Sequence, residues 1–148
     1  SGGTVSTFAG SGTPGSGDGA PGQASFRNPS GLTIDQTGNL FVAETANNDI
    51  RMITTSGQVS TYAGGLKGPT RLATDGGGNI YYSAVDNTIQ WISDTGTKIT
   101  YAGTGTLGFV EGPLITAQFN TPLVVIVDGF GRLAVADYNN NRSRIVTP

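Results

Sequence analysis

Thr4-Val5-Ser6-Thr7-Phe8-Ala9-Gly10 returns as Gln58-Val59-Ser60-Thr61-Tyr62-Ala63-Gly64 and again as Thr97-Lys98-Ile99-Thr100-Tyr101-Ala102-Gly103. Each copy is a short strand-like block that ends in Gly, where a turn can follow. Three further blocks recur in fixed order. Pro29-Ser30-Gly31-Leu32-Thr33-Ile34-Asp35 is answered by Pro69–Asp75 and Pro122–Asp128. Gly38-Asn39-Leu40-Phe41-Val42-Ala43-Glu44 is answered by Gly78–Ala84 and Gly131–Asp137. Asn48-Asp49-Ile50-Arg51-Met52-Ile53 is answered by Asn87–Ile92 and Asn141–Val146. Four short strand-like blocks per repeat predict an all-β fold of four-stranded antiparallel propeller blades, three per chain.

Strand register divides the chain, read as one domain over residues 1–148, unevenly. Residues 4–10 form a lone outer strand, 29–64 a complete blade, 69–103 a second, and 122–147 the inner three strands of a third. Three blades do not close a ring, and an open arc exposes unpaired edges and apolar blade faces. The expectation is a homodimer closed by two-fold symmetry, in which strand 4–10 completes the partner's last blade.

These motifs resemble the NHL-repeat family over nearly the whole chain. The family pattern runs P-x-G-L-x-x-D, G-N-L-Y-V-A-D, N-x-x-I-R-x-I, G-x-V-x-T-x-A-G, and the resemblance implies a six-bladed ring. The third copy departs at Ser143, where Ile is usual, and the second at Ser83-Ala84, where Ala-Asp is usual.

Spacing singles out two insertions. Gly10 to Pro29 and Gly103 to Pro122 each span 19 residues, whereas Gly64 to Pro69 spans 5. Residues 11–27 and 104–120 should therefore share one face with the loops at 44–49, 84–87 and 137–141. That face is the expected binding surface, with Asp18, Phe26, Arg27, Glu44, Asn47, Asn48, Glu111, Phe119, Asp137 and Asn140 as candidate ligand contacts. Asn residues in such loops also serve turn geometry, and the repeated aromatics also serve blade packing.

Composition restricts the chemistry. The chain holds 24 Gly in 148 residues, 12% charged residues, no His and no Cys. Ser-His-Asp and Cys-His catalysis lack their parts, and no zinc site with nitrogen or sulfur ligands can form within the chain. Asp35, Asp75 and Asp128 recur at one repeat position, each before a turn with Gly38, Gly78 or Gly131. Turn chemistry is expected there, with a Ca²⁺ ion in the central channel as the alternative. Arg51 and Arg144 share one position on the third strand, read as outward-facing, with the stem packing on the sheet or the charge pairing with a neighbouring blade's acid.

A net charge of −2 gives no reason to expect nucleic acid as a partner, and no apolar stretch reaches membrane-spanning length. Asn141-Arg142-Ser143 fits an N-glycosylation pattern, and a secreted or cell-surface location is slightly favoured. The expected function is a non-catalytic binding or scaffold module for a protein or glycan, without a cofactor. The alternatives are a metal-dependent hydrolase or lyase with oxygen ligands, and a fragment or engineered half-propeller with no dedicated ligand.

Overall fold

The computed structural model describes residues 2–148. Blade 1 comprises β1 (Pro29–Ile34), β2 (Leu40–Glu44), β3 (Asp49–Ile53) and β4 (Val59–Ala63). Blade 2 comprises β5 (Pro69–Thr74), β6 (Ile80–Ala84), β7 (Ile89–Ile92) and β8 (Lys98–Ala102). Blade 3 comprises β9 (Pro122–Val127), β10 (Leu133–Asp137) and β11 (Arg142–Val146), with a single 3₁₀ turn at Tyr138–Asn140 before β11. Each sheet is an antiparallel meander, in the orders β1-β2-β3-β4, β5-β6-β7-β8 and β11-β10-β9. β11 therefore has a free outer edge. Residues 4–8 form no strand within the chain, and Val5 is fully exposed.

Turn chemistry sets the hairpins. After β1 the Asp35 carboxylate accepts from the Thr37 and Asn39 amides at 2.9 and 2.8 Å. Asp75 does the same for Gly77 and Asn79, and Asp128 for Phe130 and Arg132. Gly38, Gly78 and Gly131 each follow with positive φ. Asn48, Asn87 and Asn141 take the left-handed conformation before the third strand of each blade, a place where Asn is tolerated and most residues are strained.

The blades stack through their inner strands. Gly31 lies so close to Thr70 and Arg71 that a Cβ would meet the Thr70 carbonyl oxygen. Thr74 Oγ1 donates to the Ile34 carbonyl at 2.9 Å, and Ser83 Oγ to the Leu123 carbonyl at 3.2 Å. One core lies between blades 1 and 2 (Phe41, Ala43, Ile50, Leu72, Tyr82, Ile92), and a second between blades 2 and 3 (Tyr81, Phe119, Val125, Val135, Val146).

The outward faces of blades 1 and 3 have no such neighbour. Leu32 is 60% exposed, whereas its repeat equivalents Leu72 and Val125 are 6% and 1% exposed. Ile34 on blade 1, and Val124, Ile126 and Ile145 on blade 3, are likewise open to solvent.

Candidate functional site

The two insertions begin on the expected face but do not remain there. Asn47 Nδ2 donates to the Gly15 carbonyl at 3.0 Å, and its equivalent Asn140 donates to the Gly108 carbonyl at 2.8 Å. Each insertion then descends along the flank of its blade. The first buries Ala24 against Val42, Ile53 and Val59. The second buries Ala117 and Phe119 between blades 2 and 3. They are flaps packed into the fold, because an apolar side chain on each finds a gap between sheets to fill.

Each flap is fastened by an arginine. Arg51 is fully buried and donates to Glu44 at 2.8 Å, to Asp18 at 2.5 Å, and to the Ser25 and Gly17 carbonyls at 3.0 Å. Its guanidinium lies 5.4 Å from the Phe26 ring centroid. Glu44 also accepts from Asn47 and from the Arg27 amide. The second clasp repeats the first 93 residues later in the sequence. Arg144 donates to Asp137 at 2.9 Å and to the Gln118 and Val110 carbonyls, with Phe119 5.1 Å away. Asp137 accepts from Asn140 and from the Asn120 amide.

The structure thus brings together most of the candidate contacts: Asp18, Phe26, Arg27, Glu44 and Asn47 in one clasp, Phe119, Asp137 and Asn140 in the other. Glu44, Asp137 and Phe119 are sealed from solvent, and the Glu44 and Asp137 carboxylates are occupied within the chain. Asn48 stands exposed in its turn, and Glu111 is exposed with no hydrogen bond among the described residues. Arg51 does not project outward from the sheet as its position in the repeat suggested. It faces the flap, whose carbonyls and carboxylates make its burial tolerable.

Charge at the first clasp is uneven. Burial opposes ionisation of Asp18, but the hydrogen bonds from Arg51 and Thr61 and the Arg51 charge together outweigh it and hold the carboxyl below the usual range. Burial likewise disfavours the charged Arg51, but the hydrogen bonds it donates to Glu44 and Asp18, with the charges of these carboxylates, overcome it and raise its pKa. Asp49, the cross-strand partner of Glu44, is pushed up to about 6, first by burial and then by the negative charge of Glu44. Asp49 Oδ1 and Arg51 Nε are buried without a hydrogen-bond partner.

The stability consequence follows from linkage. Asp49 titrates near 3.8 when unfolded and near 6 when folded, so its protonated form favours the fold. That contribution is complete below about pH 4 and is lost as pH rises through 6. Asp18, Asp35 and Asp128 act oppositely, their contribution vanishing as pH falls through their lowered values. Asp49→Asn, whose amide donates as the protonated acid does, should therefore raise stability at pH 8. The gain should be up to about 3 kcal/mol, and little should change near pH 4. Urea unfolding at the two pH values measures it.

Among the described residues no group of three or more Asp or Glu side chains is placed to hold a metal ion. Burial works against Asp35 and Asp128, but hydrogen bonds led by the Asn39 side chain for Asp35 and the Arg132 side chain for Asp128 hold both below the usual carboxylate range.

The sequence matches no family model and no curated protein. Its structure is similar to solved structures of low identity. Virginiamycin B lyase from Staphylococcus aureus superposes with a TM-score of 0.59 at 18% identity, covering 80% of this chain and 38% of that one. A nidogen/laminin complex gives 0.62 at 18%, covering 79% and 42%. An auxiliary nutrient binding protein from Bacteroides ovatus gives 0.62 at 19%, covering 84% and 37%. These neighbours are propeller-like, and the chain has the β-propeller fold, spanning less than half the length of each of these three.

Proposed function

We propose that the chain is a non-catalytic binding module of NHL-repeat type. Two copies form a six-bladed ring that presents one loop-bearing face to a protein or glycan. The observation that supports this reading is a set of large apolar side chains left exposed on that face. Val85, Leu107, Phe109 and Tyr138 are between 41% and 63% exposed. Their loops are held in place: Val85 N–H donates to the Lys67 and Gly68 carbonyls, Tyr138 N–H to the Thr121 carbonyl, and Thr121 N–H to Asn87 Oδ1 at 3.0 Å. Exposed apolar groups on loops fixed by a rigid scaffold mark interaction surfaces.

The Arg142 guanidinium lies 4.0 Å from the Phe109 ring centroid. Such a pair offers an apolar platform beside a fixed cation, which suits a sugar ring or a peptide side chain with an adjacent acceptor. The ligand surface is therefore moved from the flap interiors to the flap tops and neighbouring turns.

The test is Leu107→Ser combined with Tyr138→Ala, assayed on a glycan array and on a protein array. Binding should fall roughly tenfold or more, with Tm within a few degrees of the wild type, since both side chains are exposed. A wild type that binds nothing on either array overturns the reading.

A further inference from the structure

Beyond β11 lies the place where a complete blade carries its fourth strand. A cavity of about 330 Å³ opens there, lined by Glu111, Gly112, Leu114, Arg144 and Val146. Blade 1 displays what such a place holds. Gly19 exchanges two backbone hydrogen bonds with Val59 of β4, at 2.9 and 3.0 Å. Thr61 Oγ1 donates to Asp18 at 3.1 Å, and Asp18 in turn holds Arg51. The counterparts in blade 3 stand ready. Gly112 has φ 124° where Gly19 has 141°, and Glu111 and Arg144 occupy the positions of Asp18 and Arg51. Glu111, lacking a strand to steady it, makes no hydrogen bond among the described residues, and Arg144 reaches only Asp137 among the carboxylates.

A sequence that fits this place lies within the chain. In Thr4–Gly10, Val5 stands at the position of Val59 and Thr7 at that of Thr61. Where an outer strand runs into a flap, it belongs to the preceding blade. β8 of blade 2 passes through Gly103, whose N–H donates to the Leu114 carbonyl, into the flap of blade 3. Gly10 repeats this joint, its N–H donating to the Pro21 carbonyl of the flap on blade 1. Residues 4–9 are thus delivered to whichever blade packs on the open face of blade 1, which bears Leu32 and Ile34.

We infer that residues 4–9 of a second copy add to β11 as its fourth strand. Val5 pairs with Gly112 through the backbone, and Thr7 donates to Glu111 and so draws that carboxylate onto Arg144. The inference rests on the two-copy ring proposed above and names its joint. It also buries Val124, Ile126 and Ile145 against Leu32 and Ile34 of the partner, and each copy gives and receives one strand, which closes the assembly.

The register supplies a sharp test in a chain without cysteine. Val59 pairs with Ile53 in blade 1, so Val5 should pair with Val146. Because Val59 turns its N–H and carbonyl outward to Gly19, this pair is of the non-hydrogen-bonded kind, with Cα atoms about 4.5 Å apart and within disulfide reach. The double variant Val5→Cys, Val146→Cys should oxidise to a covalent dimer, and Val5→Cys, Ile145→Cys, one residue out of register, should not. Thr7→Val, folded by circular dichroism, should weaken the dimer roughly a hundredfold in sedimentation, as expected for losing a hydrogen bond to a charged group at each of the two joints. A wild type that sediments as a monomer at every concentration overturns both the ring and the joint. A stable dimer that neither cross-links in this register nor responds to Thr7→Val overturns the joint and leaves the ring. A disulfide formed within one chain overturns the second copy as the source of the strand.

Discussion

Replacing Arg51 with Met should cost about 3–5 kcal/mol, the penalty of leaving a buried charge without its partner. Glu44 is sealed from solvent and Asp49 nearly so, and Arg51 is the cation hydrogen-bonded to Glu44. Without it, the Ser25 and Gly17 carbonyls of the flap also lose their donor. Arg144→Met should cost roughly half as much, because Arg144 retains some exposure and pairs with Asp137 alone, whereas Arg51 pairs with both Glu44 and Asp18. Urea unfolding of the two variants under one set of conditions gives the comparison. The double variant Glu44→Ala, Arg51→Gln should recover part of the loss, since it removes both members of the pair. It also installs the residues that blade 2 already carries, Ala84 and Gln90.

That last equivalence explains what the sequence does and does not reveal. The four-block repeat, its turns and its strand bounds are legible because each rests on local rules. Alternation places side chains on faces, Asp before Gly closes a hairpin, and Asn accepts the left-handed turn. The flaps are not legible from local pattern, because Gly-rich segments 11–27 and 104–120 carry almost no periodicity, and their course is set by distant side chains. A signal was nevertheless present. Where a copy has the insertion it also has an acid at 44 or 137, Asn at 47 or 140, and Arg at 51 or 144. The copy without it has Ala84 and Gln90.

Blade 2 shows the other half of this correlation. Tyr82 stands where blades 1 and 3 have Val42 and Val135, and with Leu66 from the short loop it occupies the flank that a flap would cover. Burial pushes the Tyr82 hydroxyl up to about 12, the Lys67 backbone giving it a polar partner in a mostly apolar setting. Gln90 is content with neutral partners, donating to Thr100 at 3.0 Å. A flap demands cationic side chains that reach its carbonyls, and its absence demands bulk. Residues read singly as turn formers or ligand contacts are thus parts of one exchange between loop length and blade surface. Asp18 is the member that sequence placed on the right face for a different reason, since its carboxylate is spent on Arg51 and Thr61.

Phe119→Ala should destabilise the protein by about 3–5 kcal/mol at any concentration, whereas the cost of Phe26→Ala should grow with concentration. The two rings hold equivalent positions on the two flaps, each against the Gly that begins its flap: a Cβ on Gly10 would lie 3.3 Å from Phe26, and one on Gly103 3.1 Å from Phe119. Their burial differs because blade 2 covers the second flap, while the side of the first flap facing away from blade 1 has no blade within the chain. Phe119 is 1% exposed and Phe26 only partly buried. In dilute solution Phe26→Ala should therefore cost about 1 kcal/mol, the smaller area it removes from water. Where two copies have assembled, the partner's third blade covers that flap as blade 2 covers the other, and the two substitutions should converge. Urea midpoints at low and high micromolar concentration measure both effects. A Phe26→Ala cost that stays small and constant across that range would show that the outer side of the first flap remains solvent-facing, and would count against the ring.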